Sequence, residues 1–451
     1  MKAQTNNENQ IIEGVIWKQL LFFFFPILLG TFFQQFYNTV DMVIVGRFVG
    51  KEALASVGGS AGQIVNLVVG FFTGLSAGAG VIISQFYGAK DQKNLNRSIH
   101  TAYAFSIAGS ILIMIPGLLL SPVLLRQMNT PEELLAPSAS YLRIYFAGIL
   151  FMFIYNIGSG ILRALGDSKR PLCYLIICCL LNIALDLLMV FVLHLGVAGV
   201  AAATVIAQAF SAFLVTRALM KSDDIYQLKL REIRFHRRVL KNELYVGLPG
   251  GLQSVMYNLS NIIIQAAVNV YGTDTTAAWA AYGKLDAIFW MTSGAFGVAI
   301  TTFVGQNYGA GKYDRIRKSV YVCMGMDFVV SIFLTAFLIV LRQPLFHIFT
   351  EDRNVIRIGS DMLRLITPCY AVFVFTEVLS SALRGVSDVI IPMLLTMFGV
   401  CFLRIAWIFF VVPLHPSLNM VIINYPVTWI TTAILFIIYY AYKKKKLLPA
   451  G

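Results

Sequence analysis

Charge is what this chain has least of. Only 13% of its 451 residues are Asp, Glu, Lys or Arg, against 58% apolar, and the mean hydropathy is +0.75. A soluble domain keeps roughly a quarter of its residues charged to cover its surface. The deficit therefore excludes a secreted enzyme, a disordered scaffold and a nucleic-acid-binding domain. Cysteine is sparse too: Cys173, Cys178, Cys179, Cys323, Cys369 and Cys401 lie in apolar runs without a CxxC pair, so they read as small packing residues rather than a disulfide or zinc framework. The His residues, at 100, 194, 236, 347 and 415, have no metal-ligand spacing. Gly305 to Lys312 fails as a phosphate loop, because Gly305 and Gly311 are separated by five residues and Tyr313 stands where Ser or Thr would hold magnesium. No enzyme, no cofactor and no ATP-driven pump is expected, so any transport would draw on an ion gradient.

What the chain does have is apolar runs. A spanning helix needs about 20 apolar residues. Windows of that kind fall at 17–45, 57–86, 98–124, 138–162, 171–194, 196–219, 243–271, 278–303, 319–341, 361–383, 390–413 and 419–442. Twelve transmembrane helices in an all-α integral membrane protein are expected, with no cleaved signal at the polar start Met1 to Gly14. Phe22 to Phe25 reads as a lipid-facing run.

Lys and Arg are retained on the cytoplasmic side of a bilayer. With the amino terminus inside, 25 of the 35 basic residues fall at cytoplasmic positions, eight of them in Arg217–Lys241 and four in Lys443–Lys446. The net charge of +13 is then topogenic, set against anionic lipid, and needs no polyanion partner. Both termini are expected in the cytoplasm.

The halves repeat. Gln85-Phe-Tyr-Gly-Ala-Lys90 matches Gln306-Asn-Tyr-Gly-Ala-Gly311, Gly160-Ile-Leu-Arg163 through Asp167 matches Ser381-Ala-Leu-Arg384 through Asp388, and Pro171 matches Pro392, all 221 residues apart. Six spans separate equivalent points, so the repeats enter the membrane with one orientation. The expected division is an amino-terminal lobe over 1–220, a basic linker over 221–242 and a carboxy-terminal lobe over 243–451, two pseudo-symmetric six-helix lobes around a cavity.

An ionised side chain at mid-bilayer costs at least about 2.5–3.5 kcal/mol, which makes intramembrane acids functional candidates. There are five: Asp41, Asp186, Asp286, Asp327 and Glu377. Tyr37 and Asp41 stand one helical turn apart, with Gln34 on the same stripe, and Asn182 and Asp186 repeat that spacing in the fifth window. Such acids can serve as polar glue between helices. Two of them with flanking Tyr and Asn can instead hold a proton, or a hard cation such as sodium. In the seventh window Ser254, Asn258, Asn261 and Gln265 form one polar face bordered by Tyr257, without a carboxylate. The position of Asp41 maps there to Ile264 and that of Asp186 to Trp407, so the lobes share a fold but not an ion chemistry. Arg404 is the expected counter-charge of Glu377 or Asp286. Tyr37, Tyr257 and Trp290 are placed to hold an organic cation over their rings.

In order along the chain, Asn38-Thr-Val-Asp-Met-Val-Ile-Val-Gly46, the two Gln-x-Tyr-Gly-Ala motifs, Leu162-Arg-Ala-Leu-Gly-Asp167, Asn182-Ile-Ala-Leu-Asp186 and Leu383-Arg-Gly385 resemble the MATE (multidrug and toxic compound extrusion) exporters along essentially the full length, most of all their bacterial DinF-like and MepA-like branches. The resemblance implies a V-shaped pair of lobes, a monomer in the bacterial cytoplasmic membrane, and export of amphipathic cations in exchange for protons or sodium. It carries the amino-lobe cation site onto Tyr37, Asp41, Asn182, Asp186 and Thr204, with a possible sodium ion at Asp41, Asn182, Asp186 and Thr204. Gln34, Tyr257, Asn258, Asn261, Asp286, Glu377 and Arg404 are candidates for the substrate cavity and second lobe. One branch of the family places a Glu on span seven where this chain has Tyr257. A flippase for lipid-linked saccharide precursors is the rival reading, but its cavity would need Arg or Lys where this chain offers acids.

Overall fold

Inside a bilayer no water is present to satisfy backbone N–H and C=O groups, so apolar runs of this length close their hydrogen bonds internally as helices. A computed structural model, describing residues 10–222 and 226–447, shows that outcome: no β-strand occurs among the described residues. The polar start with Lys2 and Glu8, and the last residues from 448, lie outside them, and with these both termini.

Each of the twelve windows meets a helix. They are α1 (Ile16–Val49), α2 (Lys51–Gly88), α3 (Gln92–Gln127), α4 (Glu132–Ala147 with Ile149–Ala164), α5 (Lys169–Val192), α6 (Gly196–Met220), α7 (Arg237–Asn269), α8 (Thr273–Gly309), α9 (Tyr313–Val340), α10 (Arg353–Gly385), α11 (Ile390–Leu414) and α12 (Leu418–Lys444). Ten of them are long and apolar enough to cross a membrane by themselves. α4 makes an eleventh only as a pair bent by 48° at Gly148. α7 does not qualify, because the stripe of Gln253, Asn258, Asn261 and Gln265 lowers its hydropathy.

The repeat is visible in the backbone. Lys90 and Gly311 both adopt left-handed conformations (φ +56° and +70°), as do Gly166 and Ser387 (φ +93° and +63°), each pair 221 residues apart. These turns end α2, α8, α4 and α10, and a left-handed residue is the usual way to stop a helix.

The chain forms two compact units. One is Phe25–Gly251; the other joins the residues up to Phe24 to those from Leu252 onward. In the first, Gly78 of α2 comes so close to α7 that a β-carbon there would stand 2.3 Å from the Gly247 nitrogen, and its core gathers Ile99, Tyr103, Tyr155, Ile161 and Leu162. In the second, Tyr282, Phe289, Tyr370, Phe373 and Trp429 form an aromatic core, with Phe289 and Tyr370 stacked at 3.9 Å.

Large apolar side chains also point outward, among them Leu112, Val270, Val329 and Phe410, as a lipid solvent permits. The Phe run is corrected here. Phe22 and Phe25 are exposed, but Phe23 and Phe24 are buried and Phe24 stacks on Phe296 at 4.0 Å. At 100° per residue four consecutive side chains face every side of a helix.

Candidate functional site

In the unit Phe25–Gly251, α1, α2, α4 and α6 enclose a cavity of about 360 Å³. Gln34, Tyr37, Asn38 and Asp41 line it from α1, Asn66 from α2, Tyr141 and Tyr145 from α4, and Thr204 and Gln208 from α6. Asp186, wholly buried, lies behind Asp41, and the two carboxyl groups adjoin within hydrogen-bonding reach of each other. The five residues placed together from the sequence, Tyr37, Asp41, Asn182, Asp186 and Thr204, thus belong to one unit, and all but Thr204 are buried.

The hydrogen bonding is unusual for a core. Neither oxygen of Asp186, nor Oδ1 of Asp41, nor either amide atom of Asn182 has a partner. Buried polar groups are normally paired, and leaving one unpaired costs about 1–3 kcal/mol. Two adjoining carboxylates cannot bond to each other, since both only accept. A single proton on one of them, or a cation between them, would supply what is missing. Thr204 spends its hydroxyl proton on the Val200 carbonyl (3.0 Å), which leaves its oxygen as an acceptor.

Local backbone shape positions the acids. Both α1 and α5 end in a π-helical turn, Val45–Val49 and Leu188–Val192, four and two residues beyond Asp41 and Asp186. These wider turns close with Gly50 N–H to Val45 O (3.0 Å) and Leu193 N–H to Leu188 O (3.1 Å). Such turns are rare and recur at functional sites.

Sequence reasoning missed Gln208, Tyr141 and Tyr145. Gln208 donates to the Tyr37 hydroxyl (3.5 Å), and the two α4 tyrosines stack with ring centres 6.2 Å apart. The signal for Gln208 was present: Thr204, Gln208 and Ser211 mark one face of an otherwise apolar helix.

Tyr257, Asn258, Asn261, Asp286, Glu377 and Arg404 belong to the other unit and do not line this cavity. Asp286 accepts from Tyr282 (3.0 Å) and Tyr370 (2.5 Å) on Oδ1 and from Trp290 (2.6 Å) on Oδ2. Arg404, the expected counter-charge, acts on Asp286 through space without a direct ion pair: among the described residues it lies within salt-bridge distance of neither Asp286 nor Glu377, and its guanidinium lies over the Tyr425 ring at 4.2 Å. Three aromatic donors already satisfy Asp286, and an aromatic face replaces the carboxylate as the cation's partner. Trp290 is committed to Asp286 as a donor. Asn258 donates back to the Ser254 carbonyl (2.9 Å), Asn261 is exposed, and Glu377 accepts from Ser381 (3.4 Å). Ile264, the counterpart of Asp41, is buried with Val268 and Val421, and Trp407, the counterpart of Asp186, donates to the Met420 carbonyl (2.9 Å).

Comparison with known proteins agrees with the duplicated architecture. The MatE family profile matches the chain twice, over residues 26–188 and 249–410. This chain belongs to the MatE family. The resemblance read from the motifs is borne out. "Probable multidrug resistance protein YoeA" of Bacillus subtilis (strain 168) is 27% identical over 440 residues, spanning 96% of this chain and 95% of that protein. "Probable multidrug resistance protein YpnP" of the same organism is 31% identical over 398 residues, 87% of each chain. "Multidrug export protein MepA" of Staphylococcus aureus (strain MSSA476) is 21% identical, with 83% of each covered. Among solved structures, a MOP superfamily transporter from Pyrococcus furiosus matches 99% of this chain and 100% of its own with a TM-score of 0.91, at 22% identity, a likeness of fold. Like its relatives, the MatE chain described here is a multi-pass membrane protein, with the two family matches beginning at Pro26 and Pro249.

Proposed function

We propose that this protein is an antiporter of the bacterial cytoplasmic membrane that exports amphipathic organic cations in exchange for protons or sodium ions, with the basic linker 221–242 and both termini in the cytoplasm and the sequence halves 1–220 and 243–451 as its repeats. The observation that carries the reading is the donorless pair Asp41 and Asp186 beside a cavity lined by Tyr37, Tyr141 and Tyr145. A cationic drug over those rings and a small ion between the carboxyls draw on the same negative charge. Binding of one weakens binding of the other, and the coupling is reciprocal. Asp41 faces the cavity and receives the ion; Asp186 behind it shares the ion; Asn182 and Thr204 supply neutral oxygens, which suit sodium. The cavity lining holds a carboxylate and neither Lys nor Arg, the opposite of what a pyrophosphate-bearing lipid precursor requires.

Everted vesicles carrying the protein test this. Adding ethidium-like cations should dissipate a preformed proton gradient, or a sodium gradient, and the responding gradient names the ion. Asp41→Asn and Asp186→Asn should each abolish the response. Drug efflux that persists in both variants would overturn the mechanism.

A further inference from the structure

Within the same unit a second cavity, of about 250 Å³, lies away from the acid pair, where the segment before α7 crosses the first turns of α3. Its walls come from two segments. Lys93, Asn96, Arg97 and His100 are spaced i, i+3, i+4 and i+7, one face of α3; opposite them Glu232 closes a 3-10 turn (Leu230–Glu232), and Arg234 and His236 follow on the non-helical stretch that leads into α7. The segment is anchored. Leu228 is buried and its N–H bonds the Leu219 carbonyl (3.0 Å), while the His236 N–H bonds the Thr101 hydroxyl (3.2 Å).

The two imidazoles differ. His100 places Nδ1 on the Asn96 carbonyl (2.8 Å) and accepts the Lys229 N–H on Nε2 (3.1 Å), so both its ring nitrogens are engaged and it serves as a fastener. His236 contacts Thr101 through Nδ1 (3.2 Å), and its ring also hydrogen-bonds the Arg234 backbone. Partial burial, then the guanidiniums of Arg234 and Arg97, hold the His236 imidazole below its ordinary value. Lys93, Arg97 and Arg234 have no ion-pair partner among the described residues, and Glu232, the carboxylate of the pocket, is engaged by Lys229 (3.5 Å). Three uncompensated cations around one cavity form a socket for a compact polyanion. Guanidiniums match phosphate oxygens in geometry as well as in charge.

We infer that this pocket binds a phosphate group, carried either by an anionic lipid headgroup or by a free phosphate, and thereby fastens the basic linker to α3. The position at the polar start of α3 is where headgroups meet a spanning helix.

The test uses the full chain in nanodiscs. Phosphatidic acid at increasing fraction in phosphatidylcholine is compared with inorganic phosphate added to pure phosphatidylcholine discs, and binding is read as the shift in thermal midpoint and as adducts in native mass spectrometry. The wild type and Arg126→Gln, an exposed cation at the far end of α3, should bind at least about tenfold more tightly than Arg97→Gln/Arg234→Gln. Lys93→Gln, on an exposed side chain, replaces the double variant if that does not fold, and should weaken binding several-fold. A pocket-dependent response to lipid only assigns the headgroup; a response to inorganic phosphate assigns the free anion. Equal binding by the wild type and the pocket variants in both arms would overturn the inference.

Discussion

Phe48 and Phe191 meet edge to face with ring centres 4.4 Å apart, one from the π-helical turn that ends α1 and the other from the turn that ends α5. The contact lies a few residues beyond Asp41 and Asp186, so it ties together the two helix ends that bring the carboxyls into register. Aromatic pairs of this kind contribute about 0.5–1.5 kcal/mol beyond the area they bury. Phe48→Ala and Phe191→Ala should each lower the thermal midpoint. A double-mutant cycle should return a coupling of about that size; a coupling near zero would show that the rings merely coexist at a lipid-facing surface.

The donorless acids predict a trade between stability and activity. Asp186→Asn replaces one carboxyl by an amide that donates to Asp41 without a bound proton or cation, removing the defect of about 1–3 kcal/mol that the native pair carries when it is unloaded, at high pH and without sodium. The variant should melt higher than the wild type while losing ion-coupled transport. A lower midpoint under those unloading conditions, with the fold intact by size exclusion, would mean that the native pair carries no such defect.

The left-handed turns predict a reciprocal swap. Lys90 pays a steric penalty at φ +56° that Gly311 avoids at +70°. In left-handed backbone that penalty is roughly 1–2 kcal/mol for an ordinary residue. Lys90→Gly should raise stability and Gly311→Lys should lower it, by similar amounts in thermal denaturation. Shifts of the same sign would show that side-chain contacts outweigh backbone conformation there.

In the second unit, Asp286 binds three aromatic donors, and removing the acceptor orphans them all. Tyr370→Phe should cost about 1–3 kcal/mol and Asp286→Ala clearly more, measured by denaturant or heat. If Asp286→Ala proved no more damaging than Tyr370→Phe, the cluster would not be holding the aromatic core together.

The helices and the repeat were legible in the chain because they rest on local properties, whereas of the twelve expected spans ten, or eleven with the bent α4, are long and apolar enough to cross a membrane. Hydropathy decides where backbone must close its own hydrogen bonds, and the Gln-x-Tyr-Gly-Ala and Leu-Arg motifs carry their offset in plain spelling. The acid pair was legible for a related reason: a carboxylate in an apolar run is conspicuous, and its Tyr or Asn one turn away shares its face. Gln208 was harder, since a lone amide on α6 gains meaning only once Tyr37 of α1 is beside it. That Arg404 rests on the Tyr425 ring rather than in a direct pair with Asp286 was not legible, because opposite charge is only one way to hold a buried guanidinium and the contact depends on helix rotations that no local pattern encodes.

By itself, then, the sequence determined an all-helical membrane protein of duplicated halves, with a few acids too costly to be incidental. Those features follow from transfer free energies and helical periodicity, which act on each segment independently. Only the tertiary structure decided that Asp41 and Asp186 adjoin without a donor, that π-helical turns follow both, that residues up to Phe24 join the unit beginning at Leu252, and that the basic linker folds over α3 around a positively charged pocket. Each of these depends on which faces of distant helices come into contact, a matter of packing between segments far apart in the chain.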